Sequence, residues 1–168
     1  LAYLGPAYDK QLRDVYTTIS SDDVFKERGF INGIFSDALA DSTPLWKLIS
    51  RYVDEAMMAD IAREHLKGRL LVIGTTDLDA ERPVLWNIGA IAASGRPGSL
   101  DLVRKILRAS TAVPAYFSPV LIDVEVDGKS YQEMHVDGGA FAQMFLYPPS
   151  IDLRKIVKQE RKAYLIWN

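Results

Sequence analysis

The feature that most constrains the fold is a hairpin signal in the last third of the chain, PVLIDVEVDGKSYQEMHV (residues 119–136). Its two halves alternate apolar and polar residues around Asp127-Gly128, and an Asp-Gly pair between two such runs is a strong signal for a two-residue hairpin turn. The pattern therefore predicts two antiparallel neighbouring strands. A second Asp-Gly pair, at Asp137-Gly138, ends the return strand. The residues that follow it, AFAQMFLYPP, do not alternate, so this pair needs another explanation.

Upstream of the hairpin, the hydrophobic periodicity is first helical and then changes to short apolar runs. We predict helices over residues 9–19, 41–53, 54–68 and 97–110, the last with Ser99 as N-cap, and strands over residues 68–76 and 83–92. Beyond the second Asp-Gly pair we predict a helix over residues 150–162 and a strand over 163–167. Strands that interleave with helices are typical of an α/β layered domain with a mostly parallel sheet, which the hairpin makes mixed.

Length and composition limit the classes of function. A chain of 168 residues fits one domain, which we expect to span residues 1–168, with a helical part up to about residue 68 and the sheet after it. The formal net charge is −2, so there is no basic excess to neutralise phosphates and we expect no nucleic-acid partner. No apolar run is long enough to span a bilayer. The chain has no cysteine and two histidines, so its chemistry must rest mainly on Asp, Glu, Ser, Thr, Lys and Tyr.

Polar residues at two further places invite functional interpretations. Asp77 and Asp79 follow a predicted strand, and two carboxylates at such a position can hold Mg²⁺. Local hydrogen bonds that cap a loop are the more common use of this pattern. His135 lies two residues before Asp137 and therefore on the same side of its strand. Because side-by-side neighbours do not aim a carboxylate at the far nitrogen of the ring, we expect a structural role for His135.

Asp137 itself has two interpretations. Asp-Gly-Gly alone is typical of a turn, because Asp tolerates turn geometry and Gly supplies positive φ. The functional alternative is that the strand end presents Asp137 to a crevice at the edge of the sheet, where α/β proteins usually bind ligands. The two following glycines would then let a substrate or another backbone segment come close. A partly desolvated carboxylate at such a place can act as a general base towards a hydroxyl.

LRASTAVPAYFSPV (Leu107 to Val120), followed by EMHVDGGAF, resembles the patatin-like phospholipases, and in particular their bacterial members. In that family a segment of the Ala-Ser-x-Ala-x-Pro-x-x-Phe-x-Pro kind precedes a catalytic Asp-Gly-Gly or Asp-Gly-Ala. LAYLGPAYDKQLRDVYTTI (residues 1–19) and RLLVIGTTDLDAERPVLWNIGAIAASG (residues 69–95) are also similar to the family. The resemblance therefore covers essentially the whole chain.

The resemblance implies a layered α/β/α domain related to the α/β-hydrolases, incomplete at both ends in this chain, and a lipid acyl hydrolase with a Ser-Asp dyad. Asp137 corresponds to the dyad aspartate, Gly138 and Gly139 shape its turn, and Tyr116 and Phe117 are candidates for lining the acyl pocket. The implied substrate is a lipid or another acyl ester. The resemblance is also compatible with peripheral contact between the protein and a membrane. We expect no cofactor and no metal.

The chain departs from the family in one respect, because none of its serines lies in a Gly-x-Ser-x-Gly nucleophile elbow. Ser94 in AASGR lacks both glycines and Ser130 in GKSYQ lacks the second. LAYLGP resembles the segment that follows the elbow helix, so we expect the nucleophile upstream of Leu1. The chain would then be an internal piece of a longer protein and inactive alone. The alternatives are a non-catalytic lipid-binding or interaction domain and a metal-dependent transferase that uses Asp77 and Asp79.

Overall fold

The structure is a computed structural model that describes residues 1–27 and 39–140. The helix predicted over residues 150–162 and the strand predicted over 163–167 lie outside the described residues. The described part contains both helices and a sheet, so the predicted α/β class is confirmed.

The first part of the chain is mainly helical. It consists of two 3-10 turns (Ala2–Leu4 and Pro6–Tyr8), helices α1 (Asp9–Thr18), α2 (Ser21–Val24), α3 (Thr43–Tyr52) and α4 (Glu55–Leu66), and the short antiparallel strands β1 (Lys26–Glu27) and β2 (Ala40–Asp41). Caps fix the helix starts: the Asp54 carboxylate accepts a hydrogen bond from the Met57 N–H at 2.8 Å, and Pro44 lies in the first turn of α3. The predicted helices in this part are confirmed to within a few residues.

The second part alternates hairpins with helices. Its elements are β3 (Val72–Asp77), β4 (Arg82–Asn87), α5 (Ile88–Ala93), α6 (Ser99–Ala109), β5 (Val120–Val126), β6 (Lys129–Asp137) and a 3-10 turn (Gly138–Ala140). The strand predicted over 83–92 is wrong after Asn87, whose side chain caps α5 by accepting a hydrogen bond from the Ala90 N–H at 3.0 Å. Gly98, with φ 83°, replaces Ser99 as the N-cap of α6.

The main sheet has the strand order β4-β3-β6-β5, and every neighbouring pair is antiparallel. The prediction of a mostly parallel sheet is therefore wrong. The prediction assumes that a helix between two strands joins parallel neighbours, whereas α5 and α6 connect β4 to β5, the two outer strands of the sheet. Each outer strand pairs instead with its own hairpin partner. The Asp77 carboxylate shapes the β3–β4 turn by accepting hydrogen bonds from the backbone N–H groups of Asp79 and Ala80 at 3.0 and 3.1 Å.

Helix α6 packs the hairpin onto the core. Its buried residues recur every three positions, and each fully buried aliphatic side chain stabilises the fold by about 1.5–3 kcal/mol. The core contains Val53, Met57, Met58, Ile61, Ile88, Val103, Ile106, Ala109, Ala112, Val120 and Ile122. At the rim, the Lys105 ammonium lies 3.0 Å from the Asp123 carboxylate on β5. These contacts hold the β5–β6 hairpin, and with it the strand end at Asp137, against α6.

Candidate active site

Asp137 is the last residue of β6 and is half-buried. Its main chain is held from two sides: the N–H donates to the Ala112 carbonyl at 3.0 Å, and the carbonyl accepts from the Thr76 hydroxyl at 3.0 Å. In the register of the sheet it lies opposite Thr75 of β3. Two other segments of the chain, β3 and the loop that contains Ala112, therefore fix where this aspartate lies.

The two oxygens of the Asp137 carboxylate have different surroundings. Oδ1 accepts a hydrogen bond from the Gly139 N–H at 2.6 Å. Oδ2 accepts no hydrogen bond from residues 1–27 or 39–140. Within the described part of the chain, one oxygen is thus held by the turn that follows the strand, while the other has no hydrogen-bond donor. A carboxylate arranged in this way is oriented without a histidine.

The glycines after Asp137 do not supply the positive φ that is typical of an Asp-Gly-Gly turn. Gly138 and Gly139 lie in a 3-10 turn, whose backbone angles any residue can adopt, so the expected positive φ is wrong. The requirement at Gly139 is space instead, because a Cβ atom there would lie 3.0 Å from Asp137 Oδ1. Gly138 is buried. Gly139 therefore allows its own N–H to approach the carboxylate.

The loop between α6 and β5 brings the ASTAVPAYFSPV motif next to the Asp-Gly-Gly motif that begins at Asp137. Ala112, which belongs to ASTAVPAYFSPV, is 3% exposed and supplies the carbonyl that binds the Asp137 N–H. Ala115 in the same loop has φ 69°, and Tyr116 and Phe117 follow it. The motifs thus meet through a main-chain hydrogen bond, which the sequence did not reveal.

Tyr116 and Phe117 form an aromatic cluster with Phe25. The three ring centroids lie 5.7–6.1 Å apart in edge-to-face arrangements. Tyr116 is 39% exposed, and Phe117 packs against the hydrophobic core. Sequence reasoning missed Phe25, because no periodicity or spacing connects it to a loop about ninety residues later.

His135 belongs to a buried chain of polar side chains. Its Nδ1 lies 3.0 Å from the Thr75 hydroxyl, which also accepts a hydrogen bond from Trp86 Nε1–H at 2.8 Å. Its Nε2 lies 3.2 Å from a carboxylate oxygen of Glu133. Both ring nitrogens are therefore occupied by partners other than Asp137. This is the structural role expected for His135.

Asp77 and Asp79 both bind backbone groups. The fully buried Asp77 caps the β3–β4 turn through Oδ1, and its Oδ2 lies 3.7 Å from Arg82 Nε. Asp79 Oδ2 accepts a hydrogen bond from the Met134 N–H at 2.7 Å and so ties this turn to β6. Asp77 thus makes the local capping bonds that were the alternative to a metal site, whereas Asp79 makes a long-range bond to β6. Within the ranges that the structure describes, no three His, Asp or Glu side chains are grouped so as to hold a metal ion.

An apolar cavity of about 450 Å³ lies between the N-terminal segment, α3, α4, α6 and β3. Leu48, Met57, Ile73, Ile88 and Val103 are among the residues that line it. Tyr116 and Phe117, which the sequence predicts to line an acyl pocket, are not among the described residues that line this cavity.

Comparison with known proteins places the chain in a class. A model of the patatin-like phospholipase family matches residues 1–148. The chain therefore belongs to the patatin-like phospholipases, a family of lipid acyl hydrolases. A comparison with curated proteins gave no match. In the part of the chain that the structure describes, no helix is both long enough and apolar enough to cross a membrane.

Proposed function

We propose that the protein is an acyl ester hydrolase with a Ser-Asp dyad and that Asp137 is its general base. The observation that carries this proposal is the asymmetry of the carboxylate, with Oδ1 held by Gly139 and Oδ2 free of partners among the described residues. A base must be within hydrogen-bond reach of the proton that it accepts, and its orientation matters as much as its pKa. The family of the chain indicates a lipid or another acyl ester as substrate.

The reaction would proceed by covalent catalysis. As the serine oxygen attacks the ester carbonyl, its proton passes to Asp137 Oδ2. The proton then goes to the departing alcohol when the tetrahedral intermediate collapses to an acyl-enzyme. In the second half, Asp137 takes a proton from water as the water oxygen attacks the acyl-enzyme, and it returns that proton to the serine as the fatty acid leaves. We assign the nucleophile to a Gly-x-Ser-x-Gly segment outside the 168 residues.

The first test is Asp137→Asn in the full-length protein, with hydrolysis of a soluble p-nitrophenyl ester as the readout. The amide cannot accept the serine proton, so we expect turnover to fall by at least about 100-fold, as is typical for removal of a general base. Asp127→Asn at the tip of the hairpin is the matched control and should keep wild-type turnover. Wild-type turnover in Asp137→Asn would show that another group is the base.

Tyr116 and Phe117 are proposed to line the acyl site. The support is that their loop binds Asp137 directly through Ala112, and that Tyr116 exposes 39% of its surface. Tyr116→Ala should change the ratio of kcat/KM between long-chain and short-chain esters by about 10-fold, since a methylene in an apolar pocket contributes about 1–3 kcal/mol to discrimination. An unchanged ratio, in a variant that unfolds at the wild-type temperature, would leave the tyrosine with a purely structural role.

A non-catalytic lipid-binding domain is the second candidate, and the observation that favours it is that no serine of the chain lies in a nucleophile elbow. It predicts that the full-length protein binds phospholipid vesicles without hydrolysing them. Ester hydrolysis that is lost in Asp137→Asn would exclude this candidate.

A further inference from the structure

Thr76 makes a contact with the candidate base that the proposed chemistry does not use. Its side chain is 6% exposed, and its hydroxyl donates to the Asp137 carbonyl at 3.0 Å across 61 residues of sequence. The direction of this hydrogen bond is fixed, because a carbonyl oxygen can only accept. Thr76 is paired in the sheet with Val136, the residue before the aspartate.

The hydrogen bond lies where the ladder between β3 and β6 ends. Thr75 and Asp137 form the last registered pair of the two strands, and the Asp137 N–H is directed to Ala112 and not to β3. The Asp137 N–H is thus held by a main-chain bond from the α6–β5 loop, while its carbonyl is held by a side chain, the Thr76 hydroxyl.

Fixing this carbonyl also fixes the carboxylate. The carbonyl belongs to the peptide plane between Asp137 and Gly138, and a peptide unit is rigid. One residue further, the Gly139 N–H donates to Asp137 Oδ1 at 2.6 Å. The Gly139 N–H orients the carboxylate and therefore Oδ2. The bond from Thr76 restrains the peptide unit that leads into this turn.

We propose that Thr76 is a positioning residue for Asp137, acting on its main chain so that Oδ2 is directed at the proton it accepts. The proposal rests on the proposed function. Thr76 is not itself assigned a contact with substrate. Its neighbour Thr75 cannot replace it, because the Thr75 hydroxyl is engaged by Trp86 and His135.

The decisive comparison is between Thr76→Val and Thr76→Ser in the full-length protein. Valine keeps the shape of threonine but removes the donor, so we expect kcat for a p-nitrophenyl ester to fall by about 10- to 100-fold, the cost of a base misplaced by up to 1 Å, with KM within about twofold of wild type. Serine keeps the donor and should restore kcat to within about threefold. Thr17→Val is the matched control, since the Thr17 hydroxyl also donates to a main-chain carbonyl, at 2.9 Å, but on α1.

Two results with the Thr76 variants would overturn the proposal. A Thr76→Val enzyme with kcat within twofold of wild type shows that the hydroxyl does not position the base. A Thr76→Ser enzyme as slow as Thr76→Val shows that the methyl group matters instead. If Thr76→Val is too unstable to assay, Thr76→Ala replaces it, and the difference between Ala and Ser carries the same decision. Loss of activity in Asp137→Asn together with a fully active Thr76→Val refutes only the positioning role, whereas an active Asp137→Asn refutes the proposed function as well.

Discussion

The β5–β6 hairpin carries an Asp-Gly pair at each end of its return strand, and the two pairs differ in what they require from glycine. At the tip, Asp127 and Gly128 have φ values of 52° and 73°, and a Cβ atom on Gly128 would meet nothing within 4 Å. At the other end, Gly139 lies in a 3-10 turn, and a Cβ atom there would lie 3.0 Å from the Asp137 carboxylate. At Gly128 the backbone conformation disfavours other residues, and at Gly139 the contact of a Cβ atom with the Asp137 carboxylate does.

This difference separates stability from function. A left-handed backbone conformation is a local property of the chain, so a substitution at the tip should change the free energy of unfolding and leave the distant carboxylate in place. A close contact with a carboxylate is a property of the site. A substitution at Gly139 should therefore move Asp137 Oδ1 while the backbone keeps its ordinary angles. The two Asp-Gly pairs of one hairpin thus need their glycines for different physical reasons.

Among the substitutions that test this difference, the largest effect is expected for Gly139→Ala. The new methyl group would lie closer to Asp137 Oδ1 than ordinary contacts allow, so the carboxylate must shift by a few tenths of an ångström. We expect kcat in the full-length protein to fall by about 10-fold, because general-base catalysis depends on geometry. The free energy of unfolding should stay the same or rise by about 0.4–1 kcal/mol, since alanine restricts the unfolded chain. A destabilised variant with wild-type kcat would contradict the distinction between contact and conformation.

Particular residues show why the sequence anticipated one end of the hairpin better than the other. The turn at Asp127-Gly128 depends on two residues and the alternation around them, so a local pattern predicts it. The surroundings of Asp137 come from Ala112 and Thr76, the latter 61 residues away. No periodicity reports such contacts, and only the resemblance to a family selected Asp137 from the other acids.

The topology of the sheet shows the same limit. Apart from α5, which was predicted as part of a strand, the strands and helices of the second part were predicted close to their observed places. The pairing of β5 with β6 is also confirmed, but the parallel pairing predicted for the rest of the sheet is wrong. Whether a helix joins neighbouring or distant strands depends on which strands pair, and the tight turn capped by Asp77 pairs β3 with β4. The sequence alone therefore identified most of the longer elements and the hairpin, but it did not determine the order of the four strands.

The second effect is expected for Gly128→Ala, the counterpart at the tip. Alanine at φ 73° must adopt the left-handed region, which costs about 1–2 kcal/mol. Urea denaturation should show this loss of stability, while kcat at a temperature well below unfolding stays at the wild-type value. Gly128→Asn is the matched control, because asparagine tolerates the left-handed region and should recover most of the stability. A loss of kcat in a folded Gly128→Ala protein would mean that the tip and the site are coupled.

The smallest effect concerns pH and the middle of the same hairpin. Hydrogen bonds from Gln132 Nε2 and the Lys105 ammonium hold the pKa of the Asp123 carboxyl below its usual value of 3.8. A carboxyl whose pKa is lower in the folded state stabilises the fold above the pKa of the unfolded chain, and this stabilisation is lost as the pH falls through the folded value.

The difference in free energy of unfolding between wild type and Asp123→Asn should therefore be present at pH 7 and shrink below about pH 4. Because the carboxylate is exposed, solvent and salt screen the effect, and high salt should reduce it further. A difference that stayed constant with pH would show that Asp123 contributes through packing and not through charge. The hairpin would then be held to α6 without the Lys105–Asp123 ion pair. The substitutions at Gly128 and Gly139 would remain the ones that separate effects on stability from effects on catalysis.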